Sequence, residues 1–226
     1  SLVGSEMCIR DRWYENAIFY GLDIRRFQDS NSDGFGDIPG LIERLDYLKD
    51  LGVDALWLMP FMDSPLMDNG YDVRDYYRVD PRVGTLDDFL RLIREAHNRK
   101  INLVMDLVMN HTSNQHPWFE ASRRDPASRY REYYVWANNI PENTIGGSPV
   151  FPGEENDVWT YDDEAKAFYY HRFYHFQPGL RIANTAVQEE IFNALDFWLS
   201  LGVDGFRIDA EPLMLCLLYT SPSPRD

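Results

Sequence analysis

The sequence predicts an α/β fold on a parallel sheet, a partial barrel made of the first four strand–helix units. Three observations predict it. Short apolar runs alternate with segments of helical periodicity, the order that makes parallel strands joined by helical crossovers. The joint Leu51-Gly52-Val53-Asp54-Ala55 returns as Leu201-Gly202-Val203-Asp204-Gly205, so one helix-exit-to-strand connection is used twice. The rival is a doubly wound open sheet, but no Gly-rich phosphate loop follows the first strand, as its nucleotide-binding version requires.

In chain order, residues 17–22 read as a short buried strand. The stretch Asp29-Ser30-Asn31-Ser32-Asp33-Gly34-Phe35-Gly36-Asp37 follows. Its oxygen-bearing side chains alternate and glycine permits a tight turn, as in a loop that wraps a hard cation, with Phe35 offering its carbonyl. The expected ligands are Asp29, Asn31, Asp33, Phe35 and Asp37, and the expected ion is Ca2+, with Mg2+ as the alternative. The distal Glu of an EF-hand is lacking, and a solvated polar turn is the plainer reading. A first helix begins at Pro39, carries Ile38, Leu41, Ile42, Leu45 and Leu48 on one stripe, and ends at Gly52. Residues 53–58 form the second strand. Thr85 with Asp88 three residues on opens a second helix. Residues 101–107, nearly all apolar, form a third strand buried on both faces. The fourth unit runs from Thr185, with Gln188 three residues on, to Gly202, and its strand ends at Asp209.

Between the third strand and the fourth unit lies an insert, residues 111–184, rich in Pro, Gly, Asn, Trp and Tyr. An irregular insert of that size at a barrel rim is expected to be functional. The barrel parts are thus residues 13–110 and 185–214. Residues 1–12 and 215–226 continue none of their neighbours' patterns and resemble translated adapter read-through.

Composition narrows the partners. The net charge is −15, from 37 acidic and 22 basic residues, which argues against nucleic acid and anionic membrane. No apolar run is long enough to span a membrane and no leader opens the chain, so a cytoplasmic location is expected. The two cysteines, Cys8 and Cys216, sit at opposite ends and suggest no disulfide framework or metal cluster. Aromatics make up 15% of the chain, and aromatic faces serve as platforms for sugar rings as well as core filling.

The reactive groups gather at predicted strand ends. In Gly205-Phe206-Arg207-Ile208-Asp209, period-two alternation puts Arg207 and Asp209 on one face, where the guanidinium would keep the carboxylate ionised. Such a pair also serves as a plain structural ion pair. The third strand ends in Asp106-Leu107-Val108-Met109-Asn110-His111, and the loop after the second carries Asp68-Asn69-Gly70-Tyr71-Asp72. Loops that follow parallel barrel strands open on the same face.

This ordered set resembles the α-amylase family, glycoside hydrolase family 13, and within it the trehalose synthase and α-glucosidase branch. The resemblance covers about 13–214 and includes His171-Arg172-Phe173-Tyr174-His175-Phe176-Gln177-Pro178. It implies a partial TIM (β/α)8 barrel with an inserted domain B after strand 3, acting on an α-glucoside or α-glucan. It implies that Asp209 is the nucleophile, that Arg207 orients it, and that Asp106 braces Arg207. It implies sugar contacts from Asp68, Tyr71, His111, Arg207, Phe173 and Gln177, and a second calcium ligand in Asn110.

Two departures stand out. Where the family reads Gln-Pro-Asp-Leu-Asn, this chain has Gln177-Pro178-Gly179-Leu180-Arg181, against the second calcium site and against a specific trehalose synthase assignment. The family's acid/base Glu and third Asp have no counterpart before Met214. Glu211 lies on the same element as Asp209 and would not face it across a substrate. The chain is therefore expected to be an inactive part of a larger enzyme. The alternatives are hydrolysis of α-1,4 or α-1,6 glucosides, a non-catalytic barrel used as a binding or transport-accessory module, and a purely structural calcium-binding domain.

Overall fold

A computed structural model describes residues 12–141 and 148–210. Cys8, Cys216, Glu211, Met214 and both foreign-looking ends lie outside the described residues, except for Arg12. A four-stranded parallel sheet organises the chain, in the order β1 (Phe19–Leu22), β2 (Ala55–Leu58), β5 (Asn102–Val108), β9 (Gly205–Asp209). Between β1 and β2 run α1 (Ile38–Glu43) and α2 (Leu45–Asp50). The hairpin β3 (Met62–Asp63) and β4 (Asp75–Val79) precedes α3 (Leu86–Asn98), which leads into β5. The insert holds α4 (Pro117–Arg124) and the antiparallel strands β6 (Trp136–Ala137), β7 (Trp159–Asp162) and β8 (Ala167–Tyr170), ordered β6-β8-β7. Finally α5 (Thr185–Leu201) leads into β9.

All four expected parallel strands are present, and three details differ from expectation. The first helix is two, broken at Arg44, whose N–H bonds Leu41 three residues back and whose ψ is 3°. The cap of α5 is Asn184, which accepts from the Ala186 N–H at 2.9 Å. Gln188 closes no box with Thr185 and instead donates to the Ile182 carbonyl. The insert, read as irregular, contains its own sheet, built on Trp, Tyr and Phe residues whose bulk suits strands. The capping box of α3 is as expected, with Thr85 accepting from the Asp88 N–H and Asp88 from the Thr85 N–H.

The repeated joint has a structural use. Asp54 accepts from the Ile18 N–H at 3.0 Å, and Asp204 accepts from the Leu103 N–H at 2.8 Å. Each aspartate thereby staples the start of the adjacent strand. Leu103, Met105 and Leu107 point one way into the core and are at most 1% exposed. Each such side chain contributes about 1.5–3 kcal/mol on burial. Between α3 and α5, Phe61, Phe89 and Trp198 form a ring triad with centroids 4.8–5.8 Å apart. The Trp198 indole donates to the Tyr76 carbonyl, so its one polar atom is satisfied at full burial.

The other face of the sheet carries the chemistry. In register, Gly21 lies beside Trp57, Trp57 beside Val104, Asp106 beside Arg207, and Val108 beside Asp209. With strand period two, Trp57, Asp106, Arg207 and Asp209 share one surface. Among the described residues, no helix is long and apolar enough to cross a membrane.

Candidate active site

Arg207 occupies the centre. Its Nη1 lies 3.0 and 3.1 Å from the two Asp106 oxygens and 2.5 Å from Asp209 Oδ1. Asp106 is fully buried at its side chain, Asp209 is 16% exposed and Arg207 41%. The guanidinium thus bridges an inner and an outer carboxylate, and the outer one faces the open end of the strands. Asp106 also accepts from the Tyr71 hydroxyl and the Trp57 indole N–H, each at 3.2 Å. Burial pushes the Asp106 carboxyl up, against the pull of Arg207. Burial opposes the charge of Arg207, but Asp106 and then Asp209 raise its pKa above the ordinary value. Asp106 therefore holds Arg207 from the inner side, and Asp209 is the more exposed of the two carboxylates.

Asp68 and Tyr71 come from the loop between β3 and β4, the hairpin that follows β2. Gly70 in that loop has φ +98°, and a Cβ there would lie 2.6 Å from the Pro60 carbonyl oxygen, so only glycine permits the turn. Tyr71 N–H then closes on the Asp68 carbonyl at 2.9 Å. Buried Asp72 accepts from Ser64 Oγ and from the N–H groups of Met67 and Asp68. Burial, followed by the negative charges of Asp106 and Asp209, holds the Tyr71 hydroxyl protonated far above its ordinary range. The Asp68 carboxyl is also raised, chiefly by burial and then by Asp72 and Asp209, while Gln177 opposes this.

His111 is 2% exposed, with Nε2 at 3.2 Å from the Tyr71 carbonyl and Nδ1 at 3.3 Å from Asn110 Oδ1. Burial lowers its pKa to about 4, so the ring is neutral at pH 7. The neutral ring carries one proton, and on Nε2 it donates to the Tyr71 carbonyl and fixes that backbone, leaving Nδ1 an unprotonated neighbour of Asn110. Phe173 packs on the His111 ring at 5.0 Å. Gln177 is fully buried and donates to Asp68 at 2.8 Å.

The structure therefore brings together Asp68, Tyr71, Asp106, His111, Phe173, Gln177, Arg207 and Asp209 through a continuous set of contacts. Sequence reasoning missed Trp57 and the bracing by Asp72. Trp57 carries Arg207 over its ring at 5.2 Å, and Gly21 opposite it leaves room for the indole. A Gly and a Trp at matched positions of neighbouring strands are the signal for it. An open hollow of about 470 Å3 borders Tyr71 and Asn69 and runs along β1 to Asp23, without Asp209 in its lining.

The expected cation loop is folded on itself. Asp29 accepts from the N–H groups of Asn31, Ser32 and Gly34. Asn31 accepts from Asp33, and Asp33 from Phe35. These oxygens share one exposed loop, a hard donor set that fits Ca2+ chemistry. Asp37 uses Oδ1 to cap α1 through the Gly40 N–H at 2.7 Å, and its Oδ2 accepts from Ser30 of the loop. Asn110 sits at the end of β5, its carbonyl accepting from Leu180. Among the described residues, no group of three or more His, Cys, Asp or Glu is placed to hold a metal ion.

An Arg-paired carboxylate at the end of a parallel strand, with a second carboxylate and an aromatic loop beside it, stands on the face where barrel enzymes carry their sites. The family model "Alpha amylase, catalytic domain" matches residues 24–221. The chain belongs to the α-amylase family, glycoside hydrolase family 13. It is 51% identical over 205 residues to a trehalose synthase/amylase of Mycolicibacterium smegmatis, covering 89% of this chain and 34% of that one. It is 44% identical over 199 residues to an oligo-1,6-glucosidase of Heyndrickxia coagulans, covering 87% and 35%. Among solved structures, a variant isomaltulose synthase of Erwinia rhapontici with its natural substrate sucrose superposes at TM-score 0.82 and 42% identity, over 88% of this chain and 35% of that one. The chain spans about a third of the length of these relatives.

Proposed function

We propose that the whole protein is a retaining enzyme of α-glucosides, with a trehalose synthase-like isomerisation of maltose as the leading activity. The observation that supports it is the Asp106–Arg207–Asp209 bridge at the open end of β5 and β9, flanked by Asp68 and Tyr71. In this reading Asp209 attacks the anomeric carbon and the glycosidic bond breaks as a carboxylic acid protonates the leaving oxygen. A covalent glucosyl ester remains. A sugar hydroxyl or water then attacks, losing its proton to the same acid/base group, and Asp209 is released. Asp68, His111, Phe173, Gln177 and Arg207 form the glucosyl pocket, and Tyr71 stacks on the ring.

Retention needs two carboxyls about 5–5.5 Å apart. Asp106 is committed to Arg207 and Asp68 to Gln177, so the acid/base group is assigned to a part of the whole protein outside the described residues. The chain alone is then inactive. The second reading, hydrolysis, is supported by the likeness to an oligo-1,6-glucosidase. Incubating the full-length protein with maltose separates them: trehalose as main product supports isomerisation, glucose alone supports hydrolysis. No turnover by wild type, or turnover that survives Asp209→Asn, defeats both. For the cation, the loop oxygens of Asp29, Asn31, Asp33 and Phe35 are proposed to hold Ca2+ in a structural role. The acidic balance favours a neutral sugar over nucleic acid or anionic membrane as partner.

A further inference from the structure

Gln177 belongs to the insert, yet its side chain ends on the barrel. Its own N–H donates to the Tyr174 carbonyl at 2.8 Å, and its Oε1 accepts from the Tyr174 N–H at 3.2 Å. These two bonds fix the amide from the insert side. Its Nε2 donates to Asp68 Oδ2 at 2.8 Å. The side chain is fully buried, with its oxygen and nitrogen both engaged.

We infer that Gln177, besides lining the pocket, is a positioning residue that aims the Asp68 carboxylate at the sugar hydroxyls. This rests on the reading of the pocket as a glucosyl site. The charged and titratable groups around Asp68 come from three elements. Asp72 lies in its own loop, Asp209 on β9, and the Tyr174 hydroxyl on the insert senses the Asp68 charge. The two aspartates both disfavour a second negative charge, and burial acts in the same direction. Gln177 is the donor that opposes them. An amide suits this task better than a cation. Lys or Arg would neutralise Asp68, whereas an amide orients it and leaves its charge available. The bond also ties the insert to the barrel at the point where substrate would bind.

The test uses the full-length protein and p-nitrophenyl α-glucoside, with kcat and kcat/KM followed from pH 4.5 to 8. Gln177→Glu places a second carboxyl against Asp68, and two carboxyls at that distance share one proton. Its acid limb of kcat/KM should move up by one to two pH units. Below the shifted limb that corresponds to a roughly 10- to 100-fold loss, recovered as the pH is raised. Gln177→Leu removes the donor without adding charge, so it should raise KM about tenfold with a smaller shift of the limb. A uniform fall in kcat with the wild-type pH profile in both variants would overturn the inference and leave Gln177 a packing residue. A second measurement is independent of turnover: the Asp68 carboxyl is titrated by carbon-13 NMR in wild type and Gln177→Leu. A higher pKa in the variant supports the inference, and equal values overturn it. Wild type without glucoside turnover would defeat the proposed function, while the NMR comparison would still decide the role of Gln177.

Discussion

Replacing Asp106 by alanine removes the acceptor on which the site is built. Three donors lose it: Arg207, the Trp57 indole and the Tyr71 hydroxyl. Each of these bonds ends on a carboxylate and contributes about 1.5–3 kcal/mol. Breaking a buried ion pair from one side costs about 3–5 kcal/mol. Arg207 is 41% exposed, so it rehydrates in part and retains Asp209, which places the expected loss near the lower bound, about 3 kcal/mol. Asp106→Asn keeps an acceptor for Trp57 and Tyr71 and should cost about half as much. Urea unfolding of the two variants beside wild type measures both values. Losses below about 1 kcal/mol for both would mean a solvated surface pair, and the bracing role of Asp106 would be wrong.

Acid should destabilise the fold through two histidines. Burial lowers His116 to about 3 and His111 to about 4, from 6.5. Both favour the neutral form when folded, so their stability is complete above pH 6.5 and is lost as pH falls toward 4. Each adds a slope of at most about 1.4 kcal/mol per pH unit. The raised carboxyls of Asp68 and Asp106 act in the opposite sense. His116 caps α4 by accepting from the Trp118 N–H at 3.1 Å, so His116→Asn keeps a cap and should flatten the acid dependence of the urea midpoint. An unchanged slope would remove His116 from the account. Gly21→Ala puts a Cβ 2.8 Å from Trp57 Cε3. It should cost about 1–3 kcal/mol and alter the near-UV circular dichroism of tryptophan, whereas a neutral effect would show that the indole can move. Calcium at 100 times its dissociation constant should stabilise the chelator-treated protein by about 2.7 kcal/mol, and Asp33→Ala should abolish that gain. No shift in wild type would end the cation proposal.

The strands and the rim were legible because parallel barrels write simple signals. Buried strands read as apolar runs, and a period of two places Arg207 and Asp209 on one face, where the two side chains meet. The role of Asp106 as the brace of Arg207 is implied by resemblance, and the two side chains are hydrogen-bonded. What was hidden depended on long-range partners. Thr185 and Gln188 match a capping box, yet Asn184 takes the cap because Gln188 has a carbonyl partner at Ile182. Asp37 fits a cation pattern, but the start of α1 needs its oxygen. His111 and Gln177 were expected at the sugar. Their hydrogen bonds to Tyr71, Asp68 and Tyr174 are contacts that no spacing rule reveals.

The central claim is that Asp209 is the nucleophile. Treating the full-length protein with a fluorinated glucosyl fluoride, which forms the ester quickly and hydrolyses it slowly, tests this by peptide mass mapping. One added fluoroglucosyl mass is expected on the peptide that contains Asp209, and none in Asp209→Asn. A stable label on another carboxylate, or full turnover with none on Asp209, would contradict it.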